Sequence, residues 1–467
     1  MVPLSRLYTG KSSGAVTERE LQMAESVRSE DAPAADPSSA AATRVTAARH
    51  ATAVAFIGAG VVFASWVSRI PQVRSELKLT PADLGVVLLA LAVGSLLALP
   101  AAAVLIRRFG TRVVVSAMIL VTAGAVTVIG VGYQAGTAPV VAGLFLMGFG
   151  LAASNVAMNV QAAAVERRTG RAIMSRFHAG YSIGTVGSAL LSAGLIAIGV
   201  PVTAHLVMVA VLVAVAVVVA ARAFLPDGTD PAAEPAGQPK DSGRPRRQLD
   251  RRTLLIGVVV LAFAFAEGAG NDWIAVALVD DHHTSAAIAS LGYAAFLTAM
   301  TLGRWTGPKL LDRYGRVRTI RSLAVLAVIG MLLFVFSPWP SLAFAGVLLW
   351  GLGACLGYPV GLSAAADDPR LAASRVSVVS GIGQLAFLGG PPLIGLLASM
   401  GTIQHALIVV PVLVGFAILA TGALAHPARP DRVLATGVPP RRRTPAHRTA
   451  RSDAPGQEDQ SLCTTHA

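Results

Sequence analysis

Uncharged apolar stretches divide the chain, each near the ~20 residues that an α-helix needs to cross ~30 Å of hydrocarbon. The first covers about 51–67, and others follow near 84–106, 113–132, 138–164, 178–199 and 201–224. A charged stretch rich in Pro and Gly, 225–251, interrupts the series. A second series then occupies about 252–278, 287–308, 319–338, 340–365, 375–399 and 403–425. Within lipid every backbone polar group must be satisfied internally, which a helix does. Only 13% of the residues are charged, against about 25% in an average soluble domain. The expected fold is therefore an all-α membrane protein of about twelve transmembrane helices. They form two pseudo-symmetric six-helix bundles, 49–224 and 252–425, joined by the linker 225–251. The polar segments 1–48 and 426–467 read as disordered tails.

The formal net charge of +13 does not point to nucleic acid, because the arginines sit in short loops and tails rather than on one amphipathic face. One set of loops holds Arg107, Arg108 and Arg112, then Arg167, Arg168, Arg171 and Arg176, then the linker arginines. The same set continues with Arg313, Arg316 and Arg318, then Arg370 and Arg375. The alternating loops hold none, except the first, with Arg69, Arg74 and Lys78. Positive charge marks the cytoplasmic side, so both termini are expected inside an inner-membrane, multi-pass protein. Two cysteines, Cys355 and Cys463, support neither a disulfide framework nor a thiolate metal site.

The two halves repeat. Gly143, Gly148 and Gly150 in the fourth run match Gly346, Gly351 and Gly353 in the tenth. Arg108-Phe-Gly110 matches Arg313-Tyr-Gly315, Ser175-Arg176 matches Ser374-Arg375, and Trp66 matches Trp273. Offsets near 200 residues at separate places indicate a duplication. Parallel halves with a site between them describe alternating-access carriers.

At these residues the chain resembles the major facilitator superfamily. That family carries a Gly-x-x-x-Asp-Arg-x-Gly-Arg signature between helices 2 and 3 and a degenerate copy between helices 8 and 9. Here the better copy is the second, Asp312-Arg313-Tyr314-Gly315-Arg316, and the first has Arg107 in place of the aspartate. The resemblance implies that Asp312, Arg313, Gly315 and Arg316 form a conformational latch. Further stretches are similar to the branch of MosC-like proteins, distantly related to fucose-permease-like carriers. These are Asn155 to Gln161, Met174 to His178, Glu267 to Trp273, Met300 to Arg304, and Gly390-Pro391-Pro392. The glycine-proline pair that marks drug/proton antiporters on the fifth helix and the Pro-Glu-Ser-Pro-Arg run of sugar porters are both absent.

Glu267 is the candidate for proton coupling. It lies 15 residues along the helix from Arg252, or ~22 Å. A carboxylate at such depth is costly unless paired, hydrated or protonated. The alternative is a carboxyl that only ties helix 7 to a neighbour. Asn271 lies one turn away, with Asp272 and Trp273 expected at the outer rim, and Gly268 and Gly270 read as backbone lining a cavity. Asn155 and Asn159, four apart on one face, and Gln384, near mid-depth, are candidates to line the substrate cavity, as is Asn271. Interhelical hydrogen bonds are the alternative for these amides. Trp66 and Trp273 are read either as interfacial anchors or as aromatic walls of the same cavity. His178 reads as a boundary contact, and prolines 391 and 392 predict a kink.

The expected function is secondary active transport of a small solute, proton-coupled, by alternating access of a monomer in the bilayer. An importer of a polyol or sugar-like solute and an efflux permease for an amphipathic metabolite or drug both remain open. A transport-inactive receptor or scaffold is the alternative from another class. No Gly-rich Gly-x-x-x-x-Gly-Lys-Ser/Thr phosphate loop is present, since Gly10-Lys11-Ser12 lacks the leading glycine, so no enzyme activity, cofactor or metal is implied.

Overall fold

The computed structural model describes residues 37–171, 173–227, 250–368 and 371–425. The expected tail 426–467, residues 1–36 of the expected leading tail and most of the linker lie outside the described residues. Within them the chain is helical throughout: α1 (Pro37–Glu76), α2 (Pro81–Gly132), α3 (Thr137–Thr169), α4 (Met174–Ala197), α5 (Val202–Ala221) and α6 (Arg251–Asp280). There follow α7 (Ala286–Phe336), α8 (Pro340–Ala354), α9 (Gly357–Ala365), α10 (Ala372–Ala398), α11 (Ile403–Ala406) and α12 (Val409–Ala420). Residues 37–48, expected to be disordered, instead extend the first helix, and Ala48 is fully buried.

Among the described residues, ten helical segments are long and apolar enough to cross a membrane. Two of them, α2 and α7, run far beyond the ~20 residues one crossing needs. Each is broken at a single glycine, Gly110 (φ 78°, ψ 164°) and Gly315 (φ 77°, ψ 163°). An L side chain rarely adopts that conformation, so glycine at both positions of the matched loop motif lets the chain change direction. Beyond Gly110 the helix restarts with its N–H groups unsatisfied, and Asp227 closes them. Its carboxylate accepts from the Thr111 N–H (2.8 Å) and from the Thr111 hydroxyl (2.8 Å). Removing such a cap costs about 1 kcal/mol. Asp227→Ala is therefore expected to lower the Tm of the purified protein, and Asp227→Asn to retain part of the loss, in a thermal unfolding scan.

The repeated glycines have matching contacts. A Cβ on Gly148 would collide with the Leu91 carbonyl of α2, and one on Gly351 with the Phe296 carbonyl of α7. Gly143 and Gly150 meet the later half of α2 at Ala125, Met118 and Thr122. Gly346 and Gly353 meet the later half of α7 at Gly330 and Ala327. α3 and α8 are thus each pressed between the two parts of a broken helix, at backbone contact distance. Small residues allow that approach, and van der Waals packing of this kind drives helix association in lipid.

The ends that carry Arg112, Arg176, Arg252 and Arg316 are called the basic end below, and the opposite ends the distal end. At the distal end α2 meets α10 closely: a Cβ on Gly85 would lie 2.5 Å from the Pro391 carbonyl oxygen, and Gly395 faces the Pro81 carbonyl. Arg74 of α1 pairs with Asp280 of α6, and the Ser290 hydroxyl of α7 donates to the Ala189 carbonyl of α4 (3.2 Å). The first and second series of helices are therefore joined there. α10 runs as one helix through prolines 391 and 392.

The arginines that break the charge rule are accounted for by their partners. Arg69 is fully buried and donates to His205 Nδ1 (2.9 Å), Gln72 Oε1 (2.6 Å) and the Val200 carbonyl (2.9 Å). Arg74 is neutralised by Asp280. Neither is a free positive charge of the kind that orients a loop.

Candidate functional site

Glu267 lies mid-way along α6, and its carboxylate is paired. Arg304 of α7 donates through Nη2 to both Glu267 oxygens, at 2.8 and 2.9 Å. The side chains are 24% and 37% exposed, so the pair sits at depth yet reaches water. The position of Arg304 follows from a third element. Pro359 lacks the N–H that would bond the Cys355 carbonyl four residues earlier, and Cys355 and Leu356 form a turn between α8 and α9. Arg304 Nε donates to that orphaned carbonyl (3.3 Å). One guanidinium therefore ties α7 to α6 and to the α8–α9 break.

The surroundings are aromatic. Trp350 of α8 donates from Nε1 to the Ala266 carbonyl (3.2 Å), and its ring stacks edge-on with Phe296. Tyr293 of α7 donates its hydroxyl to Asn271 Oδ1 (3.3 Å). Tyr181 of α4 lies within electrostatic reach of both Glu267 and Arg304, and His178 within reach of Arg304. Gly268 and Gly270 are buried and receive the rings of Phe387 and Phe296. They serve packing in this conformation, which corrects their reading as cavity-lining backbone.

Other candidates fall as follows. Asn159 donates to Asn155, both to its carbonyl and to its side-chain oxygen (2.9 Å each), with Asn155 exposed. The Asn159 NH2 group thus bonds within α3. Gln384 is half-buried on α10. Trp273 and Trp66 are core residues, 0% and 2% exposed. Asp272 stands eight residues before the α6 end at Asp280, so neither it nor Trp273 is at the rim. Counted from Arg252, the ~20 residues of one crossing end at these two residues, but α6 continues to Asp280.

At the basic end Arg316 donates to Asp367 Oδ1 (2.7 Å) and to the Ser363 hydroxyl (3.0 Å), while Arg252 donates to Asp367 Oδ2 (2.7 Å). Asp250 caps α6 through Thr253 (2.7 Å) and pairs with Arg375 (2.6 Å). Burial pushes the Asp250 carboxyl up, but these hydrogen bonds and guanidiniums outweigh it and hold it below the usual range. Asp312 and Arg313 are exposed, with the Arg313 guanidinium over the Tyr314 ring at 5.3 Å. Among the described residues the signature thus acts through Arg316 within the second series, and Asp312 forms no polar contact. In the first series the carboxylate of Asp227 lies against Gly110 and Thr111 of the matching loop.

Arg304 carries no role in the sequence reading beyond its place in a motif. The signal for it is a lone guanidinium inside an apolar run, following a run that holds Glu267 and Asp272. Two concavities lie elsewhere. One of about 260 Å³ at the distal end includes Gln72, Glu76 and Tyr133, and an apolar groove of about 800 Å³ runs between α2 and α3.

Comparison with known proteins bears on the family and the fold. The chain is 32% identical over 361 residues to an uncharacterized MFS-type transporter of Yersinia pestis, covering 76% of this chain and 90% of that one. It is 29% identical over 363 residues to the membrane protein MosC of Rhizobium meliloti, covering 77% and 85%. Among solved structures, the nucleoside transporter NupG superposes with a TM-score of 0.66 at 15% identity, covering 80% of this chain and 99% of that one. The E. coli fucose:proton symporter FucP superposes at 0.53 with 14% identity, covering 80% and 98%. The sequence model of the Major Facilitator Superfamily matches residues 51–270 and 265–455. This chain belongs to that superfamily, as a multi-pass membrane transporter of a small molecule and not an enzyme.

Proposed function

We propose that the protein is a proton-coupled symporter that works by alternating access, with Glu267 as the group that takes up the proton. The observation that carries this reading is the Glu267–Arg304 pair, at depth and part-exposed. A carboxylate whose charge is balanced by one guanidinium has two well-defined conditions, ionised and paired or protonated and released. Counting α2 and α7 as two crossings each gives twelve, in two six-helix bundles over 49–224 and 252–425. Arginine placement then puts the basic end and both termini in the cytoplasm of an inner-membrane protein. The bundles touch at the distal end, so this conformation faces inward, with Asn155, Asn159, Asn271 and Gln384 as the polar lining and Trp66 and Trp273 behind it. Asp312, Arg313, Gly315 and Arg316 would latch the basic end when it closes. A monomer suffices, since each chain holds both bundles. FucP, by its name a fucose:proton symporter, shares the fold and supports coupling of this kind.

Alternation is measurable without a known solute. Spin labels at Gln134→Cys and Ser341→Cys, both exposed at the distal end, report its opening in a Cys463→Ser background. A short distance is expected to dominate, with a longer one populated as the pH changes. Asp280→Asn removes the Arg74 partner and is expected to raise the long-distance fraction by about fivefold, the equivalent of about 1 kcal/mol for a part-exposed ion pair. A single distance, unmoved by pH or by Asp280→Asn, would indicate a rigid scaffold and end the transport reading.

A further inference from the structure

The donors that Arg304 leaves unused bear on the kind of solute carried. Only Nη2 meets Glu267, and Nε meets the Cys355 carbonyl. Nη1 has no partner among the described residues, although the side chain is 37% exposed. A guanidinium presents a planar fork that matches a carboxylate through two parallel N–H donors. In this structure a single nitrogen serves both Glu267 oxygens, so a second oxyanion has a place to dock.

Charge balance makes that docking depend on the proton. With Glu267 ionised the pair is neutral. Protonation of Glu267 without a replacement leaves a cation at membrane depth, which is unfavourable. The groups around it do not compensate. Tyr181 and His178 on α4, Tyr293 on α7 and Cys355 at the α8–α9 break offer no anion in their ordinary protonation states. Asp272 is on α6, within electrostatic reach of Tyr293. No hydrogen bond or ion pair joins it to Arg304. The first series brings no carboxylate or guanidinium to this depth; Arg69 is sequestered at the distal end.

We infer that the transported solute is a small hydroxy carboxylate, whose oxyanion binds Arg304 in place of Glu267 as Glu267 takes up a proton. The inference rests on the symport reading above. The carboxylate of Glu267 gains one proton from water, the solute anion gains the guanidinium, and the site stays neutral before and after. Proton and anion therefore travel together, and the cycle moves no net charge. The amides Asn155, Asn159, Asn271 and Gln384 supply partners for the solute hydroxyls.

The test uses purified full-length protein and matched probes at equal ionic strength: gluconate against sorbitol, galacturonate against galactose, lactate against 1,2-propanediol. A rise in unfolding midpoint is expected with at least one acid and with none of the neutral partners. Calorimetry of that acid in buffers of different ionisation enthalpy is expected to show uptake of about one proton per anion bound. Arg304→Lys should weaken the binding by about tenfold, because a point charge replaces a fork, and Arg304→Gln should abolish it. Glu267→Gln should bind the acid without taking up a proton. Stabilisation by a neutral member equal to that of its acid, acid binding that survives Arg304→Gln, or no response to any acid would each overturn the inference. Sulfate at the same ionic strength separates specific binding from a general salt effect. Because the spin-label distances need no solute, a carrier that alternates yet ignores every acid loses only this inference. One that binds acid and does not alternate loses the transport reading instead.

Discussion

Glu267→Gln is expected to abolish proton-driven accumulation while sparing solute exchange. One pH unit is worth about 1.4 kcal/mol for one coupled proton, or about a tenfold solute gradient. In proteoliposomes the variant should show no accumulation in response to a pH gradient, with counterflow near the wild-type rate. The glutamine keeps the shape of the side chain but cannot change charge, so Arg304 stays released as if the proton were always bound. Folding should survive. Breaking a buried pair costs about 3–5 kcal/mol, but this pair is 24% and 37% exposed, and solvent screens much of the loss. Full proton-driven accumulation by the variant would remove Glu267 from the mechanism.

The largest effect on stability is expected at Gly148. Gly148→Leu places a branched side chain where even a Cβ collides with the Leu91 carbonyl, and the facing Gly94 has the reciprocal problem with Phe145. Overpacking costs about 1–3 kcal/mol where side chains can adjust. Here the neighbour is backbone, with no rotamer to change, so the cost should exceed that range. Fluorescence-detected gel filtration should show the variant lost as a monodisperse peak. Gly124→Ala and Gly415→Ala, where an added Cβ meets nothing within 4 Å, should elute and melt as wild type. Gly351→Leu should fail in the same way as Gly148→Leu, since Phe296 stands against it as Leu91 does against Gly148. A stable Gly148→Leu protein would contradict the matched packing of α3 and α8.

Much of this was legible along the chain. Apolar run length set the helices, because hydrocarbon thickness and helix rise are fixed quantities. The repeat of Gly143, Gly148 and Gly150 at Gly346, Gly351 and Gly353 marked the close backbone contacts. Glycine is required there by local approach, whatever the partner. Gly110 and Gly315 marked the breaks for the same kind of reason, a backbone angle other residues avoid. The depth of Glu267 was countable, since each residue adds a fixed rise.

Only the tertiary structure decided what those residues meet. The sequence shows a carboxylate on one helix and a guanidinium on the next, but their pairing depends on the rotation of both helices. That rotation is set by packing against a third element, here the Cys355 carbonyl freed by Pro359. Trp66 and Trp273 look like rim residues by depth, yet neighbours cover them. Arg69 and Arg74 look like misplaced loop charges, yet His205 and Asp280 absorb them from other helices. Spacing along a chain fixes height in the membrane and one face of one helix. Which faces come together is a property of the whole bundle, because each helix turns to satisfy all its neighbours at once.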